Sequence, residues 1–589
     1  MSKVMLPVVV TALMLTGCTH QTERPTPIDP EAKLSGLSVQ YWRSLLDNGP
    51  TWASYLGHRP YDGRLPDLSA EGRARHDSSL QSIRESLSQI DLSTLSADSR
   101  TTADVLKSRL DTHFASKVCQ EWAWVVDQLS GPQVWLGELP SYHIIDGPNR
   151  ADSLLQRYGQ IDVLLRQQIF NLRAGAADGW LASKINVTRV VEQLDTLLAQ
   201  EVHKSAFVAP VLQRASGVDP GILRERLSEV VQSHVYPALR VYRDFLAQEL
   251  SPKSRMSVGV SHLPRGRECY AARIKRHTGL DLTAEQIHSL GLHEVSRIKK
   301  QMQNLVSEMG GADVESFLAD LADTEEQHLN SRDELLEYNR RLVERARRVI
   351  PKLVGRIPRT PLIVKPIEAF RERDAPAAYY YRAPSDGSRP AAYYLNTHAP
   401  KTRLLYKMAA LAFHEALPGH HLQIALAGEN QTLPNFMRHG GQTAFVEGWA
   451  LYSERLADEF ALYETAEEKL GALTYEIWRA ARLVVDTGLH AMGWSRERAI
   501  DYLALHTGHD PGEVINEIDR YIIWPGQALA YKMGQLEISR LRQEVEDTLG
   551  DGFDLRAFHD QVLHNGALPM GVLRRVIERW LGREISDKN

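Results

Sequence analysis

The chain has 589 residues, of which 43% are hydrophobic and 24% charged, an ordinary globular balance. That length exceeds what one small core organises, so two or three subdomains or one large helical body are expected. The formal net charge is −5, with no basic stripe interleaved with aromatics and no Gly-rich phosphate loop. Nothing therefore favours nucleic acid as a partner.

The chain starts "MSKVMLPVVVTALMLTGCTH". Lys3 precedes an apolar run too short to span a bilayer, and Leu15-Thr16-Gly17-Cys18 follows. Residues 1–17 read as a signal peptide ending in a lipobox, with cleavage before Cys18 and lipidation of its thiol. An ordinary signal peptide with a chance Cys is the plainer alternative. By resemblance to Gram-negative lipoproteins, Thr19 after the Cys implies sorting to the outer membrane, facing the periplasm. Residues 18–36 read as the lipidated Cys and a polar, Pro-containing tether.

Residues 37–260 are expected to form an N-terminal helical subdomain. "ADSLLQRYGQIDVLLRQQIFNLRAG" and "RLSEVVQSHVYPALRVYRDFLAQEL" carry apolar residues at three- and four-residue spacing. Pro, Ser and Gly cluster at 251–266, a soft boundary before a catalytic subdomain over 261–589. Cys119 and Cys269 stand outside any CxxC motif. They are read as buried free thiols, although an envelope location permits pairing. Thr283 with Gln286 predicts a capping box at the start of a long helix. His293-Glu294 on that helix lacks a second His at ligand spacing, so it is read as part of an amphipathic surface. "TPLIVKPIEAF" and "APAAYYYRAPSDGSRPAAYYLNT" predict short strands around a turn. Beside a metal helix, such a strand would suit an extended peptide, and a purely structural sheet is equally consistent.

The chemistry concentrates in "LAFHEALPGHHLQIAL". A zinc-peptidase helix places two His at i and i+4, with a Glu beside the first. His414-Glu415 opens that pattern, but the next histidines are His420 and His421. On an unbroken helix His420 is rotated about 120° from His414, and His421 lies about 10.5 Å along the axis. Pro418 cannot continue the hydrogen-bond ladder and Gly419 admits unusual backbone angles. A break there can return His420 to the metal side, leaving His420 or His421 as second ligand. Glu447 follows 27 residues after His420 in "TAFVEGWALYSERLADEF". A carboxylate among Phe445, Val446 and Trp449 needs a partner, and a metal ion would be one. Further on, Asp486 and His490 are spaced i, i+4 and are read either as a carboxylate–imidazole pair near the site or as a surface pair. Tyr521 and Tyr531 are candidate oxyanion donors, and Arg520 or Lys532 could hold a substrate carboxylate.

The stretches "HEALPGHHLQ", "FVEGWALYSE", "RLVVDTGLHAMGW" and "RYIIWPGQALAYKMG" resemble the bacterial domain-of-unknown-function family 885. That family is in turn similar to gluzincin metallopeptidases of the angiotensin-converting and oligopeptidase type. The resemblance implies a mainly α fold with a central channel and a small β-sheet next to the metal helix. It implies one Zn²⁺ held by His414, His420 and Glu447, with Glu415 as general base. It also favours Tyr531 over Tyr521 as oxyanion donor. Many gluzincins carry an acid four residues after the third ligand, where this chain has Leu451; Glu454, further along and more distant, could supply it instead.

The expected function is zinc-dependent hydrolysis of short peptides by an envelope protein anchored through Cys18. The alternatives are a non-catalytic binding or structural lipoprotein, or a metal hydrolase of a non-peptide amide or ester. No G-x-S-x-G elbow supports a serine hydrolase.

Overall fold

The computed structural model describes residues 29–367, 372, 375–384, 387, 389–508 and 510–588. Cys18, the signal peptide and most of the tether lie outside the described residues. Helices make up 71% of the described residues, so the mainly α reading holds. The first helix, Pro30–Asn48, is capped by the Asp29 side chain, and it takes in residues 30–36 that the tether reading covered. The Thr283–Gln286 capping box is present at the start of Ala284–Glu308. No helix among the described residues is long and apolar enough to cross a membrane.

Six helices frame the candidate site: α1 (Leu405–Glu415), α2 (His420–Glu429), α3 (Thr443–Glu459), α4 (Ala466–His490), α5 (Pro511–Ile523) and α6 (Ala530–Leu549). The largest apolar cluster joins residues from Leu34 to Leu110 with α1, α3 and the C-terminal helices. A second cluster, from Val126 to Leu250, is built from the intervening helices and the loops that join them. α3 and α6 cross with their backbones almost touching. A Cβ on Gly534 would lie 1.8 Å from the Ala444 carbonyl oxygen, and one on Gly448 would lie 2.5 Å from the Gly534 carbonyl carbon. Only glycine fits at that crossing, which fixes Glu447 on α3 relative to Tyr531 on α6.

The predicted strands form a three-stranded sheet, with β1 (Leu362–Pro366), β2 (Ala378–Tyr381) and β3 (Ala391–Leu395) in the order β1–β3–β2. β3 pairs parallel with β1 and antiparallel with β2, so β2 is an edge strand and packs near α1.

Cys119 and Cys269 form a disulfide with Cα atoms 4.7 Å apart, which corrects the free-thiol reading. Both lie in an apolar cluster that brings residues 119–124 against the helix Gly266–Thr278, a proximity invisible across 150 residues of sequence.

Candidate metal centre

α1 ends at Glu415 and α2 starts at His420, so four residues interrupt the helical path. Ala416 (φ −105°, ψ −103°) and Gly419 (φ −77°, ψ −126°) both leave helical geometry, and the Leu417–Pro418 peptide is cis. The break is anchored from α3: Trp449 Nε1 and Ser453 Oγ donate to the Pro418 carbonyl at 3.0 and 3.2 Å. A Cβ on Gly419 would sit 1.9 Å from the His414 carbonyl oxygen, so a larger residue cannot replace it without movement.

The break returns His420 to His414. Their rings are 4.8 Å apart at 83°. The Nε2 atoms of both histidines lie 3.6 Å from Glu447 Oε2. Ligand atoms of all three residues lie within 4.8 Å of one another. A tetrahedral zinc with bonds of about 2.1 Å separates its ligand atoms by about 3.4 Å, so this donor set fits the ion. Two imidazoles and one carboxylate also match its preference for nitrogen and oxygen ligands. His421 instead points to the sheet, where its Nδ1 lies 3.3 Å from the Tyr380 hydroxyl. Burial, reinforced by Arg347, pushes His421 down to about 4.

His414 is oriented from behind. Its Nδ1 lies 2.7 Å from Glu454 Oε1, which fixes the tautomer and leaves Nε2 facing His420 and Glu447. Burial pulls His414 down, but Glu447 and Glu454 more than offset this and hold it at about 9. Burial raises Glu447, and the two histidines outweigh that and hold it well below the usual carboxylate range. Glu454 therefore supplies the support that Leu451 does not, a role the sequence left open to it at a distance. Glu454 is seven residues beyond Glu447, close to two full helical turns, so both carboxylates share one face of α3. That period was the signal available. Arg479, which the sequence reading did not single out, lies 3.8 Å from Glu454 Oε1.

Glu415, half-buried at the end of α1, accepts no hydrogen bond from a described residue. Its carboxylate is thus uncommitted beside the cluster. Glu447, Glu517 and Arg520 retain 20%, 17% and 15% side-chain exposure. The cluster is therefore not fully sealed from solvent. A separate cavity of about 480 Å³, lined by Phe170, Val241 and Phe245 among others, shares no residue with it.

The downstream candidates divide. Tyr531 is half-buried, with its hydroxyl 3.4 Å from Arg520 Nη2 and the Arg482 guanidinium 4.2 Å over its ring. Arg520 also donates to Glu517 and Gln527, and Glu447 is one of the negative groups that raise it despite burial. Tyr521 is buried and committed: it donates to Glu517 at 2.7 Å and accepts from Arg482 at 2.9 Å. Lys532 is fully buried and paired with Glu476 at 2.7 Å and Glu294 at 3.0 Å, so it is unavailable to substrate. The same network corrects the surface reading of Glu294, which is buried, while His293 is exposed. Asp486 and His490 are both fully buried and do not pair. Asp486 accepts from the Tyr270 hydroxyl (2.6 Å) and the Gly526 amide (3.0 Å), and His490 bridges the Val260 amide and the Tyr521 carbonyl. They lock the segment between α5 and α6 and stand apart from the metal cluster.

The sequence profile described as "Bacterial protein of unknown function (DUF885)" matches residues 50–577. The chain belongs to this family. Among solved structures, the DUF885 chain is similar to a "putative lipoprotein" of Colwellia psychrerythraea, with 30% identity and a TM-score of 0.88. That match covers 94% of this chain and 100% of the other. A second structure, a "putative lipoprotein of unknown function" from Shewanella oneidensis, shares the fold at 20% identity and a TM-score of 0.73. It covers 92% of this chain and 99% of the other. No curated protein matches the chain.

Proposed function

We propose that this DUF885 protein is a zinc-dependent metallopeptidase acting on short peptides. The observation that carries the reading is the convergence of His414, His420 and Glu447 across a broken helix, with Glu415 uncommitted beside them. A structural metal site has no need of an adjacent free carboxylate.

When bound by these three residues, Zn²⁺ supplies Lewis acidity toward a water molecule and the scissile carbonyl. Glu415 takes the proton of the attacking water and delivers it to the leaving amine. Glu454 keeps His414 in the tautomer that presents Nε2. Tyr531 donates to the carbonyl oxygen as negative charge develops there. Arg520 is a pure donor; facing the Tyr531 oxygen, it occupies a lone pair and leaves the phenolic hydrogen free for substrate. Tyr521 cannot serve, because its proton already goes to Glu517.

The deciding experiment combines metal analysis with a peptide-library digest by wild type and Glu415→Gln. Bound zinc in both proteins with cleavage only by wild type supports the reading. Equal cleavage by both removes Glu415 as base, and zinc without turnover of any peptide favours a non-peptide amide or ester.

We also propose that Cys18 carries the lipid anchor and holds the enzyme at the outer membrane, facing the periplasm. The lipobox and the lipoprotein names of the two similar structures support this. Cys18→Ala should move the protein from the membrane to the soluble fraction.

A further inference from the structure

Arg382 directly follows the edge strand β2. Its guanidinium donates to the carbonyls of His439 (3.0 Å) and Arg438 (3.2 Å) and to no acid. Arg438 donates to Asn435 and Gly428, leaving its Nε buried without a partner. Arg389 stacks 4.2 Å over the Tyr381 ring, and Arg109 lies 5.7 Å from the Phe436 ring. Each of these two has an Nη2 atom buried without a partner. No carboxylate of a described residue comes within 4.0 Å of any of these four arginines.

Four like charges gathered with no counterion among the described residues are costly, because burial strips their hydration while their mutual repulsion remains. Burial pulls Arg382 below its ordinary range, and burial with Arg382 and Arg438 alongside drives His439 down to about 3. Tyr55 lies 5.2 Å from the Tyr381 ring and adds a hydroxyl to the same wall. The group is donor-rich and planar, the complement of a carboxylate.

The cluster also borders the helix that carries His420. Tyr380 lies on β2 two residues before Arg382, about 7 Å away along an extended chain. The Tyr380 hydroxyl lies 3.3 Å from His421, the neighbour of His420. We propose that Arg382 and Arg389, backed by Arg438 and Arg109, form a carboxylate-binding subsite of the candidate metal centre. The preferred substrates are then short peptides that present a free C-terminal or side-chain carboxylate a few residues from the scissile bond. This substrate assignment rests on the peptidase reading; the anion site itself does not.

The test measures binding by calorimetry to the full chain carrying Glu415→Gln, so that turnover does not interfere. The probes are a neutral tetrapeptide with a free C-terminus, its C-terminal amide, and that amide with one Asp introduced. The free acid should bind about tenfold tighter than the amide, or the Asp should restore what amidation removes, according to which carboxylate is read. Adding Arg382→Gln or Arg389→Gln should abolish the difference. Arg382 also caps the carbonyls at 438 and 439, so Arg389→Gln carries the test if Arg382→Gln fails to fold. Equal binding of all three peptides overturns the subsite, as does a preference that survives both substitutions. A protein that discriminates the peptides yet holds no zinc and cleaves none keeps the subsite and sinks the peptidase reading.

Discussion

His414 Nδ1 and Glu454 Oε1 lie 2.7 Å apart, and the same imidazole presents Nε2 to Glu447 two turns back along the same helix. One face of α3 therefore supplies both the carboxylate of the His414–His420–Glu447 cluster and the carboxylate that orients His414. Replacing Glu454 by Gln keeps the shape and removes the charge. Zinc affinity should fall about 10- to 100-fold, read by competition with a chromophoric chelator. Unchanged affinity would mean that His414 needs no orienting partner.

Gly419→Ala places a methyl group where the His414 carbonyl oxygen stands. Relief requires the break between α1 and α2 to open. The expected cost is about 1–3 kcal/mol in denaturant titrations, accompanied by loss of bound zinc. His421→Ala should leave metal content intact, because that ring faces Tyr380.

Tyr531→Phe and Tyr521→Phe should separate. The first should lower kcat about 100-fold or more with little change in KM, because it removes a hydrogen bond made as charge develops. The second removes a buried donor to Glu517 and should appear as lost thermal stability. A kcat loss confined to Tyr521→Phe would reverse the assignment.

The Cys119–Cys269 disulfide closes a segment of 150 residues, for which chain entropy allows at most about 5 kcal/mol. Cys119→Ser should lower the melting temperature, and reductant should do the same to wild type only. Melting insensitive to both would show that the two thiols do not pair in solution.

Burial raises the Asp486 carboxyl to about 7, while Tyr270 and Gly526 act against it. In the unfolded chain it titrates near 3.8. Between those values the folded protein holds a proton that the unfolded chain has released, so stability falls as pH rises from about 4 to about 7. Glu476 acts oppositely: burial raises it, but Lys532 and Arg297 hold it at about 2, so its contribution is lost as pH falls below about 4.5. Urea titrations of wild type and Asp486→Asn at pH 5 to 8 should show wild type losing ground to the variant as pH rises. A constant difference between them would mean that Asp486 is ionised throughout.

The helical class, the small sheet and the capping box were legible because periodicity and capping are local properties of the chain. His414 and Glu447 were legible for a related reason: carboxylate and imidazole groups set among apolar neighbours need partners, and Glu415 stands directly beside His414. Pro418 and Gly419 announced a break, but the choice between His420 and His421 depended on where α3 clamps the Pro418 carbonyl. The remaining corrections share one cause. Lys532 meets Glu294 across 238 positions, Asp486 meets Tyr270 across 216, and Cys119 meets Cys269 across 150. Residue type and local spacing show that a charge, a thiol or a ring nitrogen needs a partner. Only the packing of distant helices decides which partner it receives, and so which residues are left free to do chemistry.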